Sequence, residues 1–145
     1  MNFLDSLRVS SSALTAQRTR MNVISSNLAN VNTTRTPEGG PYQRKDVVFA
    51  AVPGESSFKE TLESGSTRSG MEVRVVGLAV DPRPALTKYS PTHPDADKKG
   101  FVSMPNINLI EEMVNMLSAS RSYEANVTAI NVTKKMAMKA LEIGR

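Results

Sequence analysis

The sequence predicts an α+β chain. Long helices at its two ends pair as a coiled-coil-like unit, with a small antiparallel β insert between them. Three observations predict this. Apolar residues recur every three or four positions over about residues 4–31 and again from 109 onward. All eight prolines and seven of the eight glycines fall between 35 and 105. Short apolar runs bounded by turn residues lie within that same stretch. The implied division is a helical domain from 1–34 with 107–145, and a β-rich domain over 35–106.

The N-terminal helix is carried by Phe3, Leu7, Leu14, Met21, Ile24, Leu28 and Val31. Leu7, Leu14, Met21 and Leu28 are seven apart, a heptad seam weakened by Ser10 and Gln17. No Pro or Gly precedes Pro37, so nothing breaks the helix early. At 1.5 Å per residue it would be ~42 Å long. It runs out in SSNLANVNTT, residues 25–34, which places Asn27, Asn30 and Asn32 at its end. One Asn is a good C-cap because Asn tolerates the left-handed region. Three at this spacing ask for a further role.

The C-terminal helix follows the pattern Leu109, Met113, Met116, Ser120, Tyr123, Val127, Ile130, Lys134, Ala137, Leu141, with Ser120 and Lys134 as polar breaks. Pro105 and an N-cap at Asn106 or Asn108 supply the start. Gly144 supplies the stop. Val114, Leu117, Met136 and Met138 lie off this seam, so the apolar surface is wider than one partner helix needs. Five of the eight methionines fall between 104 and 138, and Met adapts to irregular surfaces. A second partner surface follows from both facts. A lone helix is marginal in water, and two helices make a thin core. The chain ends are therefore expected to gain order from neighbouring copies.

Between the helices, YQRKDVVF (42–49) and MEVRVVGLAV (71–80) read as strands. The second switches parity at Val75–Val76, which predicts a β-bulge near Gly77. KYS (88–90) and GFVSM (100–104) read as a shorter pair. VPGESSFKETLESGSTRSG (52–70) is polar and turn-rich, a long hairpin tip or loop.

Composition excludes several classes. The 145 residues carry a formal net charge of +4 and a pI near 9.6, with no Cys and no Trp. Thiolate and disulfide chemistry are thereby excluded. Residues 1–35 hold Arg8, Arg18, Arg20 and Arg35 against Asp5, whereas 36–106 balance nine basic with nine acidic residues. Scattered arginines without stacking aromatics describe a solvated helix face, not a nucleic-acid stripe. The opening MNFLDSLRVSSSALTAQ has no basic n-region, no apolar h-region and an early Asp5, so a cleavable signal is not expected. No run of about 18 apolar residues occurs, so no membrane span is expected.

Reactive motifs are equally scarce. HPDADKKG (93–100) begins like a calcium loop with Asp95, Asp97 and Gly100, but Lys99 and Asn106 stand where ligands should be. A turn leading into GFVSM is the better reading. His93 is the single histidine and has prolines close on both sides; no catalytic triad can be built around it. Glu111 and Glu112 are sequential and sit at the positive end of a helix dipole, so they read as helix stabilisers. No cofactor, metal or catalytic residue is expected, and the chain does not read as an enzyme.

Two segments together carry a family likeness. SSNLANVNTT following a heptad helix, and PNINLIEEMVNMLSASRSYEANVTAIN followed by MKALEIG, strongly resemble the flagellar axial proteins of bacteria. GGPYQRKDVVFA (39–50) and HPDADKKGFVSMPN (93–106) narrow the likeness to the proximal-rod proteins of the FlgC type. It covers about residues 1–50 and 88–145. Many axial proteins follow the Asn motif with Gly-Phe-Lys; here Thr36-Pro37-Glu38-Gly39-Gly40 stands there.

The resemblance implies a structural role. Such subunits stack helically into a hollow drive shaft that transmits torque. Their terminal helices form an inner tube and the β insert lies outside. The partners it implies are copies of the chain, other rod proteins, the inner-membrane ring or export-gate side, the distal rod, and the flagellar type III export apparatus. The location it implies is the basal-body rod in the periplasmic space, reached without a cleaved signal. The interface set it implies is Phe3, Leu7, Leu14, Met21, Ile24, Asn27, Leu28, Asn30, Val31, Asn32, Leu109, Met113, Met116, Tyr123, Val127, Ile130 and Leu141. Within such a polymer the three asparagines would satisfy backbone groups across a subunit contact, Asn30 most, Asn27 less, and Asn32 as the plain cap. Two other readings stay open on the residues alone: a helical adaptor that stops at a small oligomer, and a basic nucleic-acid binder.

Overall fold

The computed structural model describes residues 3–53 and 71–143. The elements are α1 (Phe3–Ala29), β1 (Lys45–Pro53), β2 (Met71–Val80), β3 (Leu86–Tyr89), β4 (Phe101–Met104) and α2 (Leu109–Ile143). This is the α+β arrangement expected, two long helices with a small β region between them. Most of the expected 52–70 loop and the Gly144 stop lie outside the described residues.

α1 stops at Ala29, and the chain then turns. The Asn30 amide N–H still reaches the Ser26 carbonyl at 3.1 Å, and the Asn30 side chain donates to that same carbonyl at 2.8 Å. Asn30 therefore works as a local cap, its side chain adding a second bond to the carbonyl that its own amide reaches. Its Oδ1 accepts from the Thr33 hydroxyl at 3.1 Å. α2 opens on Asn108, whose Oδ1 accepts from the Ile110 amide at 3.0 Å. That identifies Asn108, not Asn106, as the N-cap. Asn106 instead donates to the Pro84 carbonyl at 3.2 Å.

β1 and β2 form one two-stranded sheet, and β3 and β4 form another. The second is antiparallel, with Leu86 opposite Met104 and Tyr89 opposite Phe101. The Tyr89 and Phe101 rings meet edge to face at 5.3 Å. The turn into β4 needs Gly100, which has φ +81° and where a Cβ would lie 2.9 Å from the Tyr89 ring. Asp97 shapes this turn by accepting from the Lys99 and Phe101 amides at 2.8 and 2.9 Å. β2 runs unbroken through Gly77, which is not among the glycines with positive φ. A bulge of the kind built on a left-handed glycine is therefore not what switches the parity there.

The contacts divide the chain into two compact units. One comprises Met1–Thr19, Phe49–Val76 and Ala119–Arg145; the other comprises Arg20–Val48 and Gly77–Ser118. In the first, α1 is tied to β2: the Val73 amide donates to the Ser12 hydroxyl at 3.1 Å, and Arg8 lies 3.4 Å from Glu72. Its buried apolar residues, among those described, are Ala16 and Ala119. In the second, the buried apolar residues are Ile24, Val47, Val102 and Ile107.

The packed side of α2 differs from the expected seam. Met116, Tyr123, Ile130 and Ala137 are half-buried as expected. At the alternate positions Glu112, Ala119 and Thr133 are more buried than the expected Met113, Ser120 and Lys134, whereas Asn126 and the expected Val127 are both half-buried. Val127 and Ser120 flank this face and are half-buried, while Leu109, Met113 and Leu141 are exposed. The inward set mixes the large Met116, Tyr123 and Ile130 with the small or polar Glu112, Ala119 and Thr133, while the large apolar Leu109, Ile110, Met113, Val114 and Leu117 are exposed. A reading that assigns the largest apolar residues to the interior therefore misplaces Met113.

Candidate functional site, a buried clasp and an exposed apolar stripe

Within the second unit, the end of α1 is joined to the start of α2 by polar groups. Asn27 is 0% exposed and Glu112 is 1% exposed. The Asn27 carboxamide behaves as a detached peptide group. Its Oδ1 accepts from the Lys45 amide at 3.1 Å and its Nδ2 donates to the Lys45 carbonyl at 2.8 Å. That exchange of two bonds is what a neighbouring strand would offer the first residue of β1. Oδ1 also accepts from the Tyr42 hydroxyl at 3.1 Å, and Nδ2 also donates to Glu112 Oε2 at 3.0 Å. Both donors and both acceptor positions of the amide are used. Asp would lose the donors, and Ala would lose everything.

Glu112 Oε1 is held by Arg44, at 2.8 Å from both Nε and Nη2. Both nitrogens converge on that one oxygen, leaving Oε2 to Asn27, and such charge-assisted contacts are stronger than neutral hydrogen bonds. Burial pulls the Arg44 pKa down, and the hydrogen bond and charge of Glu112 together with the charges of Asp46 and Glu111 more than reverse it, so the net shift is upward. Arg44 also lies 3.5 Å from Asp46 and 4.0 Å from Asp81. Asp81 is held in turn by Arg83, whose Nε donates to its two oxygens at 3.0 and 2.9 Å. The side-chain and backbone hydrogen bonds from Arg83 lower the Asp81 pKa to about 2. A buried carboxylate is tolerable only when paired and hydrogen-bonded in this manner.

Sequence reasoning missed Glu112, Arg44, Tyr42 and Asp81. A signal for Glu112 existed: it lies at seam spacing before Met116, Ala119 and Tyr123, and a charge in a seam asks for a partner. The YQRKD stretch offered one in Arg44. The expected interface residues separate by depth. Asn27 and Ile24 are buried inside the single chain. Leu7, Leu14, Met21, Leu28, Asn30, Val31, Met116, Tyr123, Val127 and Ile130 are half-buried. Phe3, Asn32, Leu109, Met113 and Leu141 are exposed. Asn27 has no bond left to give a neighbouring chain, because its amide is consumed at home.

A stripe runs up the outer side of the first turns of α2. Ile110, Met113, Val114 and Leu117 follow i, i+3, i+4, i+7 spacing and are each about half exposed or more, Ile110 reaching 69%. Further along the same helix Val132, Met136, Met138, Leu141 and Ile143 are also exposed. Contiguous uncovered apolar surface of this kind marks an interaction site. A cleft of about 1050 Å³ opens beside the clasp, lined by four prolines and Tyr42 and by no histidine, cysteine or serine. No described helix is long and apolar enough to cross a membrane.

This chain leaves apolar surface uncovered along α2, and the buried charged pair Arg44–Glu112 is committed to joining the two helices. Those are the marks of a structural, assembling protein. Comparison with known proteins points the same way. Residues 7–35 match the family described as flagella basal body rod protein, and residues 98–143 match the C-terminal family of the flagellar basal body rod FlgEFG proteins. Over its whole length the chain is 50% identical to the flagellar basal-body rod protein FlgC of Bacillus subtilis, covering all of both chains. It is 48% identical to FlgC of Borreliella burgdorferi, over 99% of this chain and 98% of that protein. Against FlgC of Yersinia enterocolitica it is 43% identical over all of both. The chain belongs to the FlgC family of flagellar basal-body rod proteins, structural proteins of the flagellum rather than enzymes.

Proposed function

We infer that the chain polymerises helically in the proximal rod and passes motor torque along it. The terminal helices, 1–34 and 107–145, form the polymer core, and residues 35–106 face outward. The observation that carries this reading is the exposed stripe Ile110, Met113, Val114 and Leu117, on a chain whose full-length relatives are rod proteins. The half-buried seam residues Leu7, Leu14, Met21, Leu28, Tyr123, Val127 and Ile130 lie at the margin of that core, where a second chain would complete their burial. Association with other rod proteins of the basal body follows from the family. Contact with the inner-membrane ring or export-gate side, contact with the distal rod, and passage through the flagellar type III apparatus without a cleaved signal extend it. The rod segment occupied is the periplasmic one.

Val114→Asp combined with Leu117→Asp tests the reading. Each places a carboxylate where an apolar neighbour is expected, and an unpaired buried carboxylate is strongly disfavoured. Both residues are more than half exposed in the single chain. The variant is expected to match wild type in secretion and in thermal stability, and to be missing from isolated basal bodies in non-swimming cells. Normal swimming would show that the stripe is not an assembly surface.

A further inference from the structure

We propose that the Asn27–Arg44–Glu112 clasp is a register lock: it permits one longitudinal alignment of α1 against α2 that the apolar seams alone do not select. The need for a lock is visible in the seams. Leu7, Leu14, Met21 and Leu28 repeat every seven residues on α1. Met116, Tyr123, Ile130 and Ala137 repeat every seven on α2, alternating with small or polar residues. A heptad pattern matches itself again after a shift of seven. A slide by one heptad therefore replaces one set of modest apolar contacts with another of the same kind. The deepest positions on the two helices in the first unit are Ala16 and Ala119, and alanines present no shape that distinguishes registers.

The clasp does distinguish them. Glu112 meets Asn27 Nδ2 at 3.0 Å and Arg44 at 2.8 Å in this alignment only. A slide by seven residues brings Ala119, or in the other direction Pro105, to the place of Glu112. Neither can accept a hydrogen bond from a side chain there. Asn27 would then hold a buried, unanswered N–H, Arg44 would lose the carboxylate oxygen that two of its nitrogens meet, and Glu112 would carry its charge to a place without a partner. Each of these is penalised, and all three arise together. Because Asn27 also exchanges two bonds with Lys45, the lock ties the start of β1 to the same alignment. A single buried polar position that fixes register in an otherwise apolar helix pair is a well-attested physical device.

Register and stability are separable, and the test separates them. The chain has no cysteine, so Ser25→Cys and Leu117→Cys, both at exposed positions of the second unit, accept spin labels uniquely. Distances are read by double electron–electron resonance in the full-length protein. In the labelled parent one narrow distance peak is expected. In the labelled Asn27→Leu, Arg44→Met, Glu112→Leu variant, with apolar residues of similar volume, the thermal midpoint is expected to stay level or rise. Its distance distribution should gain a second population, displaced according to a slide of about 10 Å, seven residues at 1.5 Å each. Glu112→Gln, which keeps an acceptor for Asn27, should retain the single peak with a lowered midpoint. A single narrow peak in the triple variant would overturn the proposal, and so would a broad distribution in the parent. Should the triple variant not fold, Asn27→Leu with Glu112→Leu is measured in the same way. Failure of both to fold would show that the clasp supplies stability rather than register, which also overturns it.

Discussion

Asn27 and Asn32 are five positions apart in one motif and have opposite fates. Asn27 is sealed from solvent with four hydrogen bonds, while Asn32 is exposed beyond the end of α1. Asn27→Ala strands the Lys45 amide and carbonyl, and it removes one donor from Glu112. At about 1–3 kcal/mol for each buried group left unpaired, partly relieved by entering water, the expected loss is about 2–4 kcal/mol. Asn32→Ala should change stability by less than about 0.5 kcal/mol. Urea midpoints of the two variants check this, and equal midpoints would refute it. The ranking of Asn30 ahead of Asn27 belongs to contacts between subunits; for the folding of the single chain Asn27 is expected to matter more. The residue type was legible in the sequence, but its partners sit 15 to 85 positions away and have no local signature. Asp81 makes a pH prediction at the same scale. Its pKa is depressed from 3.8 to about 2 by Arg83, so the stabilisation it gives is present above about pH 4 and is lost as pH falls toward 2. Asp81→Asn should flatten the acid limb of the stability curve in that window. An unchanged limb would show that the Asp81–Arg83 pair contributes nothing to folding.

Whole elements were read more reliably than the contacts between them. α2 begins at Leu109 and β2 spans 71–80, as their periods predict. β1 begins at Lys45 rather than Tyr42, and the reason is physical. The backbone of Lys45 is paired by the Asn27 side chain, while the side chains of Tyr42 and Arg44 are drawn into the clasp. Hydrophobicity alone misplaces part of the inward side of α2, at Met113 and Lys134, while Met116, Tyr123, Ile130 and Ala137 are half-buried. In this helix Ile110, Met113, Val114 and Leu117 are exposed while Glu112 and Ala119 are buried, beside the half-buried Met116, Tyr123 and Ile130. The start of α2 is set by Asn108, which receives the Ile110 amide at 3.0 Å and the Glu111 amide at 3.4 Å. Asn108→Ala should cost about 1 kcal/mol, the usual loss for an N-cap. Asn108→Asp should be tolerated, since it keeps the acceptor and places negative charge at the positive helix end. Denaturation midpoints decide between these, and an Asn108→Ala midpoint equal to wild type would show that the cap is dispensable.

At the scale of the whole chain the core is unevenly distributed. Ile24, Val47, Val102 and Ile107 are buried in the unit that also contains the clasp and the β3–β4 sheet, whereas the described part of the other unit buries only Ala16 and Ala119. The first unit, 1–19 with 49–76 and 119–145, exposes Phe3, Leu4, Met71, Val76, Val132, Met136, Met138, Leu141 and Ile143. Alanine burial contributes little, because there is little apolar area to remove from water. Ordering the backbone costs the same per residue in both units. The isolated chain should therefore open locally at its ends far more often than at the clasp. Amide exchange in dilute monomer is expected to be fast over 3–19 and 119–143. Over 24–29, 45–48, 86–89, 101–104 and 109–118 it should be slower by about tenfold or more, a local stability difference of at least ~1.4 kcal/mol. The boundary is expected inside each helix, near residue 20 of α1 and residue 118 of α2, rather than at a helix end. Assembly should then protect the fast segments, because neighbouring chains would cover their exposed apolar residues. Uniform protection along both helices in the monomer would show that the chain needs no neighbour to complete its fold.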